Sequence, residues 1–505
     1  MKIKEKVTKK DSKKISIFLL IFLFGMITFI VYIPYFREHY PVDVFRILSM
    51  GVDDYALLKI AEGRLGLFSI IQFLSALKIS LTSLASYFQL YRVFLVISLV
   101  LVIIGMLLLY TMIHKRSKNI GSGWKQVVLI LCIIAIFLHP KLVDNMLFIE
   151  NIGMMIALLA AIVAAYYYTK SSVLSKGLAF VILIVGCFFY QGSINFFVPL
   201  TYLFHILQHK DEKRSCKQEI GYIVKVLLCY GVVLIINYVF VQVYHHMTPA
   251  ITEQRLNYSY DLLNNISYII QNTLHYLVIL QCVTLPMILL FGYIKAKQQE
   301  QIERKNWIHY YALLILSVIS CTVLNLGSVV AFTSRMSFSI GACMGVLGIY
   351  LISEITLDSK LEKRVCKGIV SLFAVLLVIQ IALVGKEENR NLVATKRNFA
   401  VLEQIKEWVL EYEQTSDNRI TKVAYYTDQK IDFAYWKGGN SEAAIIPYYY
   451  CSWEKPYTLQ IQLERPLELV AKQEALAFTF KNRNWIEFSK DQFVLEGDTL
   501  HICQF

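Results

Sequence analysis

The chain has no internal repeat, no low-complexity tract and no cysteine spacing of the zinc or haem kind. Repeat arrays, disordered polar tracts and closed metal modules are therefore set aside at the start. Charge is scarce as well: Asp, Glu, Lys and Arg make up 17% of 505 residues. The apolar runs that recur from Ile15 to Val384 are almost free of it. A soluble core cannot absorb so many continuous apolar segments of spanning length. With 56% hydrophobic residues and a mean hydropathy of +0.52, the sequence reads as a polytopic membrane protein. The start also lacks the small-residue cleavage site of a signal peptide. The Lys-rich stretch Lys2, Lys4, Lys6, Lys9, Lys10, Lys13 and Lys14 therefore leads into an uncleaved first span.

A net charge of +13 does not point to nucleic acid, because the basic residues gather in short loops between spans, where they orient a chain in the bilayer. Eleven spans are predicted, near 15–36, 90–113, 125–139, 152–168, 174–190, 194–207, 220–244, 264–294, 307–331, 336–355 and 366–385. Clusters such as Lys115/Arg116/Lys118, Lys210/Lys213/Arg214/Lys217 and Lys360/Lys363/Arg364/Lys367 all fall on the side of the N-terminus, while the intervening loops carry few basic residues. That side is read as the cytoplasm, which leaves the C-terminus outside.

The predicted organisation is a basic cytoplasmic N-terminus (1–14), a transmembrane domain (15–385) and an external α+β module (386–505). Within the module, Phe399, Leu402, Ile405, Val409 and Tyr412 recur at helical spacing. Tyr457, Leu459, Ile461 and Leu463 alternate with polar residues as a strand would, and further strands are predicted at 423–426, 475–480 and 485–488. The short apolar segment 65–77 is read as lying along the interface. Six cysteines fall in apolar spans as small hydrophobes; Cys451 and Cys503 stand on the oxidising side, where pairing is chemically open.

Polar residues at the external edge of the spans are the candidates for chemistry. Asp53 and Asp54 follow the first span; carboxylates gain nothing from facing lipid, so a pair beside many spans points to a cavity-lining site. The plainer account is that they start the helix containing Tyr55–Glu62, as Asp does in a first turn. Adjacent side chains diverge, so one can cap while the other acts as a general base towards a hydroxyl. Arg64 and Arg335 can offer an anion paired charge-assisted hydrogen bonds, although interfacial snorkelling is the plainer account of a single membrane-edge Arg. Glu150, Asn151, Tyr190 and Gln191 have hydrogen-bonding capacity for a polar ligand; belt and capping roles are the competing accounts. His245-His246 ends a span, and adjacent histidines project apart, so no metal site is read there.

Asp53-Asp54-Tyr55 followed by Gly63-Arg64, the stretch from Asn145 to Asn151, Tyr190-Gln191 followed by Asn195, and Ser334-Arg335 resemble, in that order, the bacterial Gtr-type membrane glucosyltransferases. The resemblance runs across roughly residues 15–415. It implies a mainly α, GT-C-type bundle in the bacterial inner membrane, and a polyprenyl-phosphate sugar donor. It further implies a cell-surface polysaccharide or glycolipid acceptor such as O-antigen, and an inverting transfer. The catalytic carboxylate would be Asp54 or Asp53, the donor phosphate would lie at Arg64 and Arg335, and Glu150, Asn151, Tyr190 and Gln191 would contact sugar hydroxyls, with no cofactor implied and a divalent ion left open. A flippase and a donor-synthesising enzyme are the implied partners. A transporter of lipid-linked saccharides, or a polysaccharide polymerase or ligase, is the alternative.

Overall fold

The computed structural model describes residues 2–77 apart from 42, then 81, 83–117, 124–210, 212, 214–248, 304–325, 334–354, 360–427, 455–480 and 490–504. The predicted span at 264–294, the strand at 485–488 and Cys451 lie outside these residues. Among the described residues the chain is mostly helical, with one small sheet near the C-terminus.

The helices in chain order are α1 (Lys2–Tyr32), α2 (Val44–Ala61), α3 (Leu65–Ala76), α4 (Leu84–Arg116), α5 (Trp124–Phe137), α6 (Pro140–Leu147), α7 (Asn151–Tyr168) and α8 (Val173–Phe189). Then come α9 (Gln191–Ile194), α10 (Phe197–Gln208), α11 (Cys216–Met247), α12 (Arg304–Asn325), α13 (Phe338–Glu354), α14 (Lys360–Ser416), α15 (Lys455–Gln462) and α16 (Glu474–Phe480). Among the described residues five stretches, in α1, α4, α7, α11 and α14, are long and apolar enough to cross a membrane, six if the bent pair α5–α6 is one span. The helices α3, α8, α12 and α13 are apolar but shorter.

The chain divides into two units. The first comprises Met1–Ile33, Leu57–Ile70 and Val93–Gly385. Its tightest pairings are α7 with α8 and α5 with α13. Gly345 of α13 admits the backbone of α5, since a Cβ there would lie 2.3 Å from the Cys132 carbonyl oxygen; small residues let membrane helices approach this closely. The break after α5 leaves carbonyls without helical partners. Gln380 supplies them, its Nε2 donating to the Ala135 and Leu138 oxygens at 2.8 and 2.6 Å.

The second unit comprises Pro34–Ala56, Ile71–Arg92 and Lys386–Phe505. Its sheet has strand order β2-β1-β4-β3, formed by β1 (Lys422–Thr427), β2 (Glu468–Leu469), β3 (Phe493–Glu496) and β4 (Thr499–Gln504). β1 is parallel to β2 and β4, and β3 turns back antiparallel to β4. Ala424, Tyr426, Cys503 and Phe480 form a buried cluster under α16. The end of α14 ties to the hairpin by Trp408 on Phe493 and by Tyr412 Oη donating to the Gly497 oxygen. Farther along α14, Phe399 packs on the rings of Tyr40 and Phe45. Asn391 Nδ2 donates to Tyr35 Oη at 2.7 Å.

Two strand expectations are corrected. Residues 457–463 lie in α15 and the turn that follows it, and 475–480 lie in α16. Alternation over so few residues does not separate strand from helix. In α15 the buried set Thr458, Leu459 and Gln462 follows the i, i+1, i+4 spacing of one helical face. The strand at 423–426 is present as β1, while the β3–β4 hairpin around Gly497-Asp498 was not anticipated, although a two-residue Gly-Asp loop is a hairpin signal.

Candidate functional site

α2 ends in a turn that decides where Arg64 goes. Gly63 takes φ +75°; its N–H donates to the Ile60 oxygen at 2.8 Å and that of Arg64 to the Lys59 oxygen at 2.7 Å, a Schellman closure that needs the left-handed conformation glycine adopts without strain. Two side chains from distant helices clamp the turn. Asn237 of α11 donates through Nδ2 to the Gly63 oxygen at 2.7 Å. Gln191 of α9 shares its Nε2 among the Glu62 oxygen, the Gly63 oxygen and Asn237 Oδ1 at 3.0 to 3.2 Å. A Cβ on Gly63 would lie 2.7 Å from Asn237 Oδ1 and 2.9 Å from Gln191 Nε2.

Arg64 then enters a buried lattice of charge. Its Nη1 meets Glu62 Oε2 at 2.9 Å and Glu150 Oε2 at 2.7 Å. Lys59 Nζ meets Glu62 Oε2 at 3.0 Å and also pairs with Glu150 Oε1. The Lys59, Glu62 and Glu150 side chains are at most 4% exposed and Arg64 is 13% exposed, so the pairs are poorly screened and each charge depends on its partners. Glu150 stands just before α7, outside the spanning stretch. Burial alone would raise its carboxyl pKa, but Lys59 and Arg64 outweigh it and hold the group well below the usual carboxylate range.

Tyr190, at the start of α9, lies under Arg64, whose Cζ is 5.0 Å from the ring centroid. The 3-10 turn Ser334–Met336 joins from the other side. Asn195 fixes it: Nδ2 donates to the Met336 oxygen at 2.6 Å, and Oδ1 accepts from Ser339 Oγ and N at 2.8 and 3.3 Å. Arg335 on this turn stacks over Phe148 with Cζ 4.0 Å from the centroid. It is half-buried and has no ion pair or hydrogen bond among the described residues. A guanidinium so placed on an aromatic face, one segment away from the Arg64 lattice, can receive an anion.

Arg64, Glu150, Tyr190, Gln191 and Arg335 thus gather in the first unit, from four places in the sequence. The carboxylate of Glu150 is committed to Lys59 and Arg64, and the Gln191 amide nitrogen to the Gly63 turn. Asn151 Oδ1 accepts from Ser98 Oγ at 2.9 Å, and its buried Nδ2 has no partner among the described residues. Asp53 and Asp54 belong to the second unit. Gly51, at φ 80° and ψ 170°, breaks α2, which puts both in the first turn of the resumed helix. Both are exposed. Asp53 Oδ1 accepts from Ser75 Oγ at 2.8 Å, whereas Asp54 has no hydrogen bond or ion pair among the described residues.

Lys59, Glu62 and Asn237 were not singled out by the sequence reading. Asn237 carried a signal, a lone amide inside an otherwise apolar span, which is costly unless it has a partner. Lys59 and Glu62 carried none, since an i, i+3 charge pair on a helix ordinarily faces water. Among the described residues no group of three His, Cys, Asp or Glu side chains is placed to hold a metal ion. No family model, curated protein or solved structure matches the chain.

Proposed function

We propose that the chain is a membrane glycosyltransferase of the Gtr-type, GT-C-like kind, moving a hexose from a polyprenyl-phosphate donor to a surface polysaccharide or glycolipid. One observation carries the reading. The segments around Gly63-Arg64, Glu150, Tyr190-Gln191 and Arg335, which the resemblance picked out one by one, meet in a single charged site beside apolar helices. In this reading Arg64 and Arg335 take the donor phosphate, offsetting the charge that develops as the bond to the anomeric carbon breaks. Glu62, Glu150 and Lys59 hold Arg64 in place. Asp54, which has no partner among the described residues, takes the proton of the acceptor hydroxyl as its oxygen attacks, and the polyprenyl phosphate leaves with inversion.

The topology proposed with it has eleven spans, the N-terminus in the bacterial cytoplasm, and Asp53, Asp54 and the C-terminal module outside. Cysteines introduced at Ser49 and Ser441 of a variant without native cysteines should both be labelled by an impermeant thiol reagent in intact cells. Labelling that requires lysis refutes the topology. For the activity, purified protein in nanodiscs is given radiolabelled polyprenyl-phosphate glucose or UDP-glucose. Transfer or hydrolysis from the nucleotide donor, with no lipid donor present, refutes the assignment.

A second reading, a transporter of lipid-linked saccharides, is favoured by the 50° break between α5 and α6, because transporters bind substrate at discontinuous helices. Uptake of labelled lipid across proteoliposomes without sugar transfer would select it.

A further inference from the structure

The break between α5 and α6 is also where polar side chains are buried without hydrogen bonds. His139, at the first position before α6, and Asn145, within it, are 0% exposed. Among the described residues neither ring nitrogen of His139 and neither amide atom of Asn145 has a partner. Ser193 on α9 is equally buried and its hydroxyl is likewise unpaired. α6 and α9 both pack against the Ser334–Met336 turn that carries Arg335. Arg335 stacks on Phe148, about one helical turn beyond Asn145. Buried polar groups in folded proteins are almost always hydrogen-bonded. Irregular backbone at membrane depth is tolerated where it is enclosed by protein or lines a cavity.

We infer that Asn145 and Ser193, with His139 beside them, form the subsite for the hexose ring of the lipid-linked donor, whose phosphate lies at Arg335. This rests on the glycosyltransferase reading and adds the part of the site that selects the sugar. The chemistry favours a neutral polyhydroxylated ring. An amide offers two donors and an acceptor, a hydroxyl one donor and two acceptor lone pairs, and an uncharged imidazole one donor and one acceptor. Sugar hydroxyls answer both kinds. The His139 ring is held in place by Phe338, 4.9 Å away between centroids, and by Gly341, where a Cβ would come within 2.2 Å of Nδ1. Asn145 and Ser193 supply the remaining unpaired donors and acceptors, and an engaged phosphate at Arg335 sets the ring beside them.

The test measures equilibrium binding of full-length protein in nanodiscs to two radiolabelled probes, decaprenyl phosphate and decaprenyl-phosphate glucose. Wild type should prefer the glucosylated lipid by about tenfold, a typical return for a few well-placed hydrogen bonds. Asn145→Leu and, as the smaller perturbation, Ser193→Ala should each cut that preference to less than threefold while leaving decaprenyl phosphate affinity unchanged. Without lipid, Asn145→Leu should raise the Tm, because an unsatisfied buried amide gives way to an apolar group of similar size. Retention of the tenfold preference by both variants overturns the subsite. So does equal weakening of both probes with a lowered Tm. Methyl glucoside that competes as well as the glucosylated lipid moves the pocket to the acceptor sugar and overturns the donor assignment. Wild type that binds both lipids equally removes the subsite alone, whereas wild type that binds neither removes the polyprenyl-phosphate reading beneath it.

Discussion

Arg64 Nη1 and Glu150 Oε2 lie 2.7 Å apart although the residues are 86 positions apart in the chain. The contact joins the turn after α2 to the start of α7. Because Lys59 and Arg64 both also meet Glu62 Oε2, removing Glu150 leaves two cations sharing one carboxylate in a dry place. Breaking one partner out of a buried ion pair typically costs about 3–5 kcal/mol, and Glu150→Ala should fall in that range. Thermal unfolding of the detergent-solubilised protein measures it; a loss near that of an exposed pair, under about 1 kcal/mol, would show that the lattice is hydrated.

The same carboxylate predicts how stability depends on pH. Lys59 and Arg64 depress the Glu150 pKa in the folded state, so folding binds fewer protons there than the unfolded chain does. The stabilisation is fully present above the unfolded value of about 4.3 and is lost as pH falls from there through the lowered folded value. Unfolding midpoints between neutral and strongly acidic pH should show a decline that begins below about 5 and becomes shallower in Glu150→Gln. Identical acid profiles in the two proteins would remove Glu150 as the source.

Gly63 and Gly51 both have positive φ, yet substitution should separate them. An alanine at Gly51 meets nothing within 4 Å, so only its positive-φ, extended-ψ backbone is penalised, by about 1–3 kcal/mol. At Gly63 a backbone penalty of about 1–2 kcal/mol is joined by contacts under 3.0 Å with Asn237, Val241 and Gln191. Gly63→Ala should therefore destabilise by more than Gly51→Ala and displace Arg64 as well, reducing transfer beyond what the loss of folded protein explains. Equal stability losses would mean that the Asn237 and Gln191 clamp yields easily.

Much of the first unit was legible from apolar run length, because a helix that must satisfy its own backbone in lipid leaves a continuous hydrophobic trace. The site was legible only as separate edge residues. Gln191 and Asn195 were noticed as polar groups at lipid depth, but their partners, the Gly63 turn and the Met336 carbonyl, are 128 and 141 positions away, and no local pattern encodes such pairing. The second unit was less readable. In α15 and α16 the alternation that suggested strands is short, and tertiary burial on one helical face decided the outcome. The proposed domain boundary at 385 falls inside α14, which continues unbroken from Lys360 to Ser416; a change from apolar to charged composition there alters what the helix packs on without ending it.

The two adjacent carboxylates give the sharpest test of the catalytic proposal. Asp53 accepts a hydrogen bond from Ser75, whereas Asp54 is exposed and unpaired among the described residues, so Asp54 keeps its full acceptor capacity for an incoming hydroxyl. Both sit in the first turn after Gly51, where a carboxylate contributes about 0.3–1 kcal/mol through the helix dipole, and each Asn variant should lose stability of that order. Their activities should part. Asp54→Asn keeps shape and hydrogen-bonding oxygen but cannot take a proton at neutral pH, and transfer from polyprenyl-phosphate glucose should fall by about 10²–10⁴-fold, the usual worth of a positioned base. Asp53→Asn should retain most of the wild-type rate, since its oxygen can still accept from Ser75. Near wild-type turnover in both variants, at matched abundance in the membrane, would leave the pair a structural first turn and send the search for the base elsewhere.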